Sequence, residues 1–112
     1  MKIKLRVLLF LSALLCQSSV MAADEAKLSA VAEMGRLNGI ALQCHYLDQV
    51  QRIKQSLMLN LPKQRALGAW FEQKTSASFM DFMNSQATCP GMLQFDESLA
   101  QATRKLETVF KK

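Results

Sequence analysis

Between Leu37 and Leu61 the apolar side chains recur three and four residues apart. Leu37, Ile40, Ala41, Cys44 and Leu47 fall on one line, the spacing of a buried helical stripe. Tyr46, Val50, Ile53, Leu57 and Leu61 continue on a slightly rotated line, and Gln43, Asp48, Gln49, Gln51, Arg52, Lys54 and Gln55 make a wet face between them. The pattern predicts an amphipathic helix over 37–61 with Cys44 on its inner side. Upstream, Asp24 to Ala26 brings acidic residues that suit a helix N-terminus, followed by a weak apolar face at Leu28, Val31 and Ala32. Run together from Ala26 to Met58, these stretches would make a helix about 50 Å long. That is too long for a compact domain of this size, so a kink or a break is expected. Gly35 and Gly39 mark the weak points, each costing about 1 kcal/mol in a helix interior relative to alanine. They lie four apart on a common face: either another backbone comes close there, or the helix breaks near Gly39.

Asn60-Leu61-Pro62 ends the pattern, because proline disfavours the helical conformation in the residue before it and suits the first position of a new helix. A further helix is predicted from Lys63 to about Ser85, with Leu67, Trp70, Phe71, Phe79, Phe82 and Met83 as its apolar mass. Its middle, Gln73 to Ser78, is polar, so a bend or fraying is expected there. Ala87-Thr88-Cys89-Pro90-Gly91 is turn chemistry. The last helix is expected to begin near Pro90 or at Asp96 acting as its cap. Met92, Phe95, Leu99, Ala102, Leu106, Val109 and Phe110 hold helical spacing to the end. No strand-like alternation and no internal repeat occur. The expected fold is all-α, a small bundle of three or four helices.

The N-terminus changes the reading of compartment and charge. Lys2, Lys4 and Arg6 precede an apolar run from Val7 to Leu15, and Val20-Met21-Ala22-Ala23 offers small residues for cleavage. This is the pattern of a secretory signal, expected over 1–22 with cleavage after Ala22 or Ala23. Its apolar core is about half of the roughly 20 residues a spanning helix needs. Cys16 invites a lipoprotein reading, but Leu15 before it is larger than that processing favours. The whole chain has 14 Lys plus Arg against 9 Asp plus Glu; with the three cations of the signal removed, 11 face 9. The mature domain, 23–112, is therefore nearly neutral and carries no nucleic-acid footprint.

Export places the two remaining cysteines in an oxidising compartment. A Cys44–Cys89 disulfide would close a loop of about 46 residues, for which the chain-entropy model gives about 4 kcal/mol.

Candidate chemistry is sparse. Cys44 and His45 are neighbours on a helix and point about 100° apart, so they do not form a nucleophile and its base. Asp96-Glu97 and Asp24-Glu25 suit helix starts rather than a catalytic pair. With a single histidine, no phosphate-binding loop and no serine elbow, no enzyme activity and no cofactor are expected. Met80, Met83 and Met92, with His45, are candidate ligands for a soft metal such as Cu(I). Against that stands the use of Phe79, Phe82, Met83 and Met92 as core filling. A small ligand would need a cavity lined by Phe79, Phe82 and Leu99. The densest interaction stretch is Pro62 to Phe71: Trp70 and Phe71 cannot both point at one core line, so one of them is expected at the boundary. Arg65, Trp70, Phe71 and Lys74 are the candidate protein-binding residues.

In size, export signal, helicity and one widely spaced cysteine pair, the chain resembles small exported helical proteins such as periplasmic acid-stress chaperones and helical immunity proteins. No residue motif carries over from either family. The expectation is an exported, periplasmic, non-enzymatic protein that binds another envelope protein as a chaperone-like, inhibitory or accessory subunit, or pairs with a second copy. It has no nucleic-acid partner and no stable membrane insertion once the signal is removed. The alternative is a periplasmic copper or small-ligand binding protein.

Overall fold

The structure, a computed structural model, describes residues 24–111. The expected signal over 1–22 and Cys16 lie outside the described residues. What is described is a four-helix bundle. Helix α1 covers residues 24–43, followed by α2 (Leu47–Asn60), α3 (Arg65–Asn84) and α4 (Met92–Val109). A disulfide joins Cys44, just beyond α1, to Cys89 in the loop before α4, with the Cα atoms 5.8 Å apart.

The 37–61 stretch is not one helix. It breaks at Cys44 to Tyr46, not at Gly39, and the rotated apolar line starting at Tyr46 belongs to the second helix. His45 adopts a left-handed conformation with φ of 58°. Its N–H donates to Leu42 O at 3.3 Å and the Tyr46 N–H to Ala41 O at 2.8 Å, the pair of bonds that closes a Schellman motif. The end of α3 repeats the device. Gln86 has φ of 53°, with Gln86 N–H on Met83 O and Ala87 N–H on Phe82 O. The chain reverses at both points without the glycine that usually announces such a turn.

The helices alternate in direction. The starts of α2 and α4 meet at one end, where Gln49 reaches Met92 and Asp96 and Tyr46 reaches Pro90. Helices α1 and α3 run parallel, with Leu28 beside Trp70 and Arg36 beside Ser78. The core contains Val31, Met34 and Leu37 from α1, Ile53 from α2, Leu67 and Phe71 from α3, and Phe95, Leu99 and Leu106 from α4. Among α2, α3 and α4 the close backbone approach is between α2 and α4.

Helix α3 is held closely by α1 through the two glycines. A Cβ added at Gly35 would lie 2.7 Å from Lys74 Cβ and 2.9 Å from Phe71 O. One added at Gly39 would lie 2.7 Å from Phe79 N, Ser78 Cβ and Thr75 O. The polar middle of α3 does not fray but stays helical, and its small side chains are what allow the two backbones to meet. Ser78 Oγ donates to Arg36 O at 2.6 Å, and Asn38 Nδ2 to Thr75 Oγ1 at 3.2 Å. Arg36 also donates a fork of bonds to the Glu33 carboxylate, from Nη2 at 2.6 Å and from Nε at 3.0 Å. The hydrogen bond to that carboxylate raises the guanidinium pKa above its ordinary value, against partial burial.

Three further expectations are corrected. Pro62 sits in the α2–α3 loop instead of starting α3. Helix α4 begins at Met92 with Gly91 as its N-cap residue, so Asp96 is not a cap; its carboxylate accepts from Gln49 across the bundle. Met83 and Met92 are exposed and Phe79 and Phe82 only partly buried, so these four are not core filling. The buried stripe of α4 is Phe95, Leu99, Ala102 and Leu106, and Met92 lies beyond its end.

Candidate interaction surface at the disulfide-linked end

Five contacts fix the loop before α4 and the first turns of α4 against the α1–α2 turn and the start of α2. Besides the disulfide, Tyr46 Oη donates to Pro90 O at 2.5 Å. The Tyr46 ring meets Phe95 edge-on with centroids 5.6 Å apart. Gln49, itself buried, donates from Nε2 to Asp96 Oδ1 at 3.1 Å and to Met92 Sδ at 3.0 Å. Buried polar groups require partners, and these are supplied across the α2–α4 contact. The first turns of α2 and α4 are thus held in a fixed relation.

On this rigid frame sits an apolar surface that the core does not use. Leu47 opens α2 at 64 % exposure and Leu93 opens α4 at 88 %, with Met92 beside it at 45 %. Near the end of α3, Met80 and Met83 are each about half exposed, and Phe79 and Phe82 are partly so. Because α3 ends and α4 begins at the same pole of the bundle, all these side chains belong to its disulfide-linked end. Exposed apolar side chains are ordinary when scattered singly; five at one end of a small bundle make that end the candidate interaction surface.

The fold brings the four sequence-derived metal candidates, His45, Met80, Met83 and Met92, to this same pole. Of these, the Met92 sulfur is engaged by Gln49. Among the described residues no group of three or more His, Cys, Asp or Glu is placed to hold a metal ion. Cys44 and Cys89 are spent in the disulfide, so neither offers a thiolate. The cavity expected between Phe79, Phe82 and Leu99 would need α3 against α4. Leu99 is buried in the core, Phe79 and Phe82 are half-buried, and α3 makes a close backbone approach to α1.

The Pro62–Phe71 stretch lies toward the opposite pole. Phe71 is in the core and Trp70 at its edge, the division expected for adjacent rings on a helix. Trp70 Nε1 donates to Leu28 O at 2.9 Å, and Lys74 Nζ lies 4.3 Å from the centre of the indole ring. A cation over an indole face is attracted by the ring quadrupole. Trp70 therefore works as a latch between α3 and α1. Arg65 is exposed and makes no ion pair among the described residues.

Sequence reasoning missed Leu47 and Leu93 as surface residues. Leu47 lies on the apolar line of the first stripe, and only the break at His45 turns it out of the core. Leu93 had a weaker signal: it falls off the 95–99–102–106 stripe.

No family model, no curated protein and no solved structure matches the chain. The fold and surface define a class, a small all-helical domain stapled by one disulfide. No helix of the described residues is long and apolar enough to cross a membrane.

Proposed function

We propose that this chain is an exported, non-enzymatic protein that binds another protein of the cell envelope through its disulfide-linked end. The observation that carries this reading is the exposure of Leu47, Met80, Met83, Met92 and Leu93, all at the disulfide-linked end of the bundle. Methionine suits such a role because its flexible, polarisable side chain adapts to varied apolar partners. The secretory pattern of residues 1–22 and the oxidised cysteine pair support an extracytoplasmic site of action.

The test is cross-linking in the native envelope, comparing the wild type with Leu93→Glu. The residue is exposed, so the variant should fold, which its thermal melt checks. A stoichiometric cross-linked partner in the wild type that is lost in Leu93→Glu is the expected result. A wild type with no partner, or one retained fully by the variant, overturns the reading.

A copper-binding reading draws on the same pole, since thioethers and imidazole suit Cu(I). It predicts that Met80→Leu with Met83→Leu abolishes Cu(I) retention while the melt is unchanged. Unchanged retention would dismiss it.

A further inference from the structure

We propose that the Cys44–Cys89 disulfide is exchangeable in the folded protein: a thiolate attacks Cys89 Sγ, and Cys44 is the sulfur that leaves. The co-reactant is a dithiol, of the kind that thiol–disulfide oxidoreductases carry. The assignment holds whether or not the disulfide-linked end binds another protein.

The two sulfurs stand in unlike surroundings. Cys89 is exposed, and so is every residue from Ser85 to Thr88 before it. No helix carries this segment. Its backbone bonds run from Ser85, Gln86 and Ala87 back to the end of α3, and Thr88 and Cys89 make none among the described residues. Cys44 is half-buried. Its N–H donates to Ile40 O at 2.9 Å, and its neighbours Ala41, Ile40 and Tyr46 belong to the core or pack against it.

Exchange is a displacement in which the attacking, central and leaving sulfurs line up, so its rate depends on which sulfur can be reached from the side facing away from the other. For Cys89 that side is the exposed 85–89 loop. For Cys44 it is the α1–α2 turn, where Ile40 and Tyr46 pack against the core. The open approach is therefore the one to Cys89.

The electrons balance with two thiols and no other reagent. The thiolate of the reductant bonds to Cys89 Sγ as the protein S–S bond breaks, and Cys44 departs with the electron pair and takes up a proton. Native contacts then oppose the opening. Tyr46 still holds Pro90 O and Phe95, and Gln49 still holds Asp96. They keep the Cys44 thiol beside Cys89 at a high effective concentration, so it recloses the bond and expels a reductant that has one thiol. A dithiol completes the step. Its second thiol gives up a proton and attacks its own sulfur in the mixed disulfide, and Cys89 leaves as a thiolate and is protonated. The protein then holds two thiols and the reductant one disulfide. Opening unties the loop from the α1–α2 turn, while the Gln49 and Tyr46 contacts still join the starts of α2 and α4.

The experiment is reduction of the oxidised mature chain under native conditions, with dithiothreitol as the dithiol and acid quenching before mass spectrometry. The expected rate is first order in dithiothreitol and changes by less than about twofold on adding about 1 M urea, because the folded protein is attacked. Reduction through the unfolded chain would speed up about fivefold or more per molar urea, and that result overturns the proposal. The attacked sulfur is read from a brief exposure to glutathione, acid trapping and peptide mapping. Cys89 should carry glutathione at least about tenfold more often than Cys44. Equal labelling, or an excess on Cys44, overturns the assignment of Cys89.

Discussion

His45 closes α1 with φ of 58°, a conformation an L residue adopts only against its own Cβ. The left-handed region costs a non-glycine residue about 1–2 kcal/mol, and glycine recovers part of that while adding freedom to the unfolded chain. Because the His45 side chain is exposed, little packing is lost on its removal. His45→Gly should therefore stabilise the domain by about 0.5–1 kcal/mol, read as a higher urea midpoint with an unchanged slope. A lower midpoint would mean that the imidazole makes a contact worth more than the strain. Asn38 poses a different problem in the α1–α3 contact. Its Nδ2 donates to Thr75 Oγ1, but its buried Oδ1 accepts from no protein group. Thr75→Val would orphan the rest of the amide, at a cost of about 1–3 kcal/mol. Asn38→Leu added to it replaces both partners by apolar groups of similar shape and should return most of that loss. A double variant no more stable than Thr75→Val would place the cost elsewhere, in the close approach of the two backbones.

At the scale of the helix, glycine has opposite meanings at two positions. Gly39 faces Thr75 O and Phe79 N, backbone atoms that cannot swing aside, whereas Gly68 has open space where a Cβ would be. Gly39→Ala should cost about 2–3 kcal/mol through overpacking, and Gly68→Ala should gain about 1 kcal/mol from helix propensity. Thermal melts of the two variants are the check; shifts of the same sign would contradict the α1–α3 geometry. Stripes such as Val50–Ile53–Leu57 and Phe95–Leu99–Ala102–Leu106 were legible in the sequence because each has one apolar and one wet side. The close approach at Gly35 and Gly39 was legible as one of two alternatives. The position of the α1–α2 break was not, since His45 fills a place where a glycine would have signalled it. Nor was the role of Thr75 and Ser78. A polar run mid-helix resembles a weak point until its partner supplies acceptors and glycines. The candidate surface was half legible: the methionines stood out by type, but their exposure depends on how far the core reaches along each helix.

For the molecule as a whole, one covalent bond serves both stability and the display of the candidate surface. The Cys44–Cys89 link spans 45 positions in sequence, so its removal should cost about 4 kcal/mol through the unfolded chain. For a domain this small that is a large share of the total stability. The loss from Cys44→Ser with Cys89→Ser is measured by urea titration, and a shift of less than about 1 kcal/mol would refute the chain-entropy account here. The local effect is separable. Without the bond, the loop before α4 is still held by Tyr46 on Pro90 and Phe95 and by Gln49 on Asp96 and Met92. Those contacts belong to the native state, whereas the entropic term acts on the unfolded one. The near-ultraviolet circular dichroism of the folded double variant should therefore keep its aromatic signal. Amide exchange in 85–91 should rise more than in α2 or α4. If exchange rises equally across all four helices, the bond acts on global stability alone, and the apolar pole owes its rigidity to the Tyr46 and Gln49 contacts.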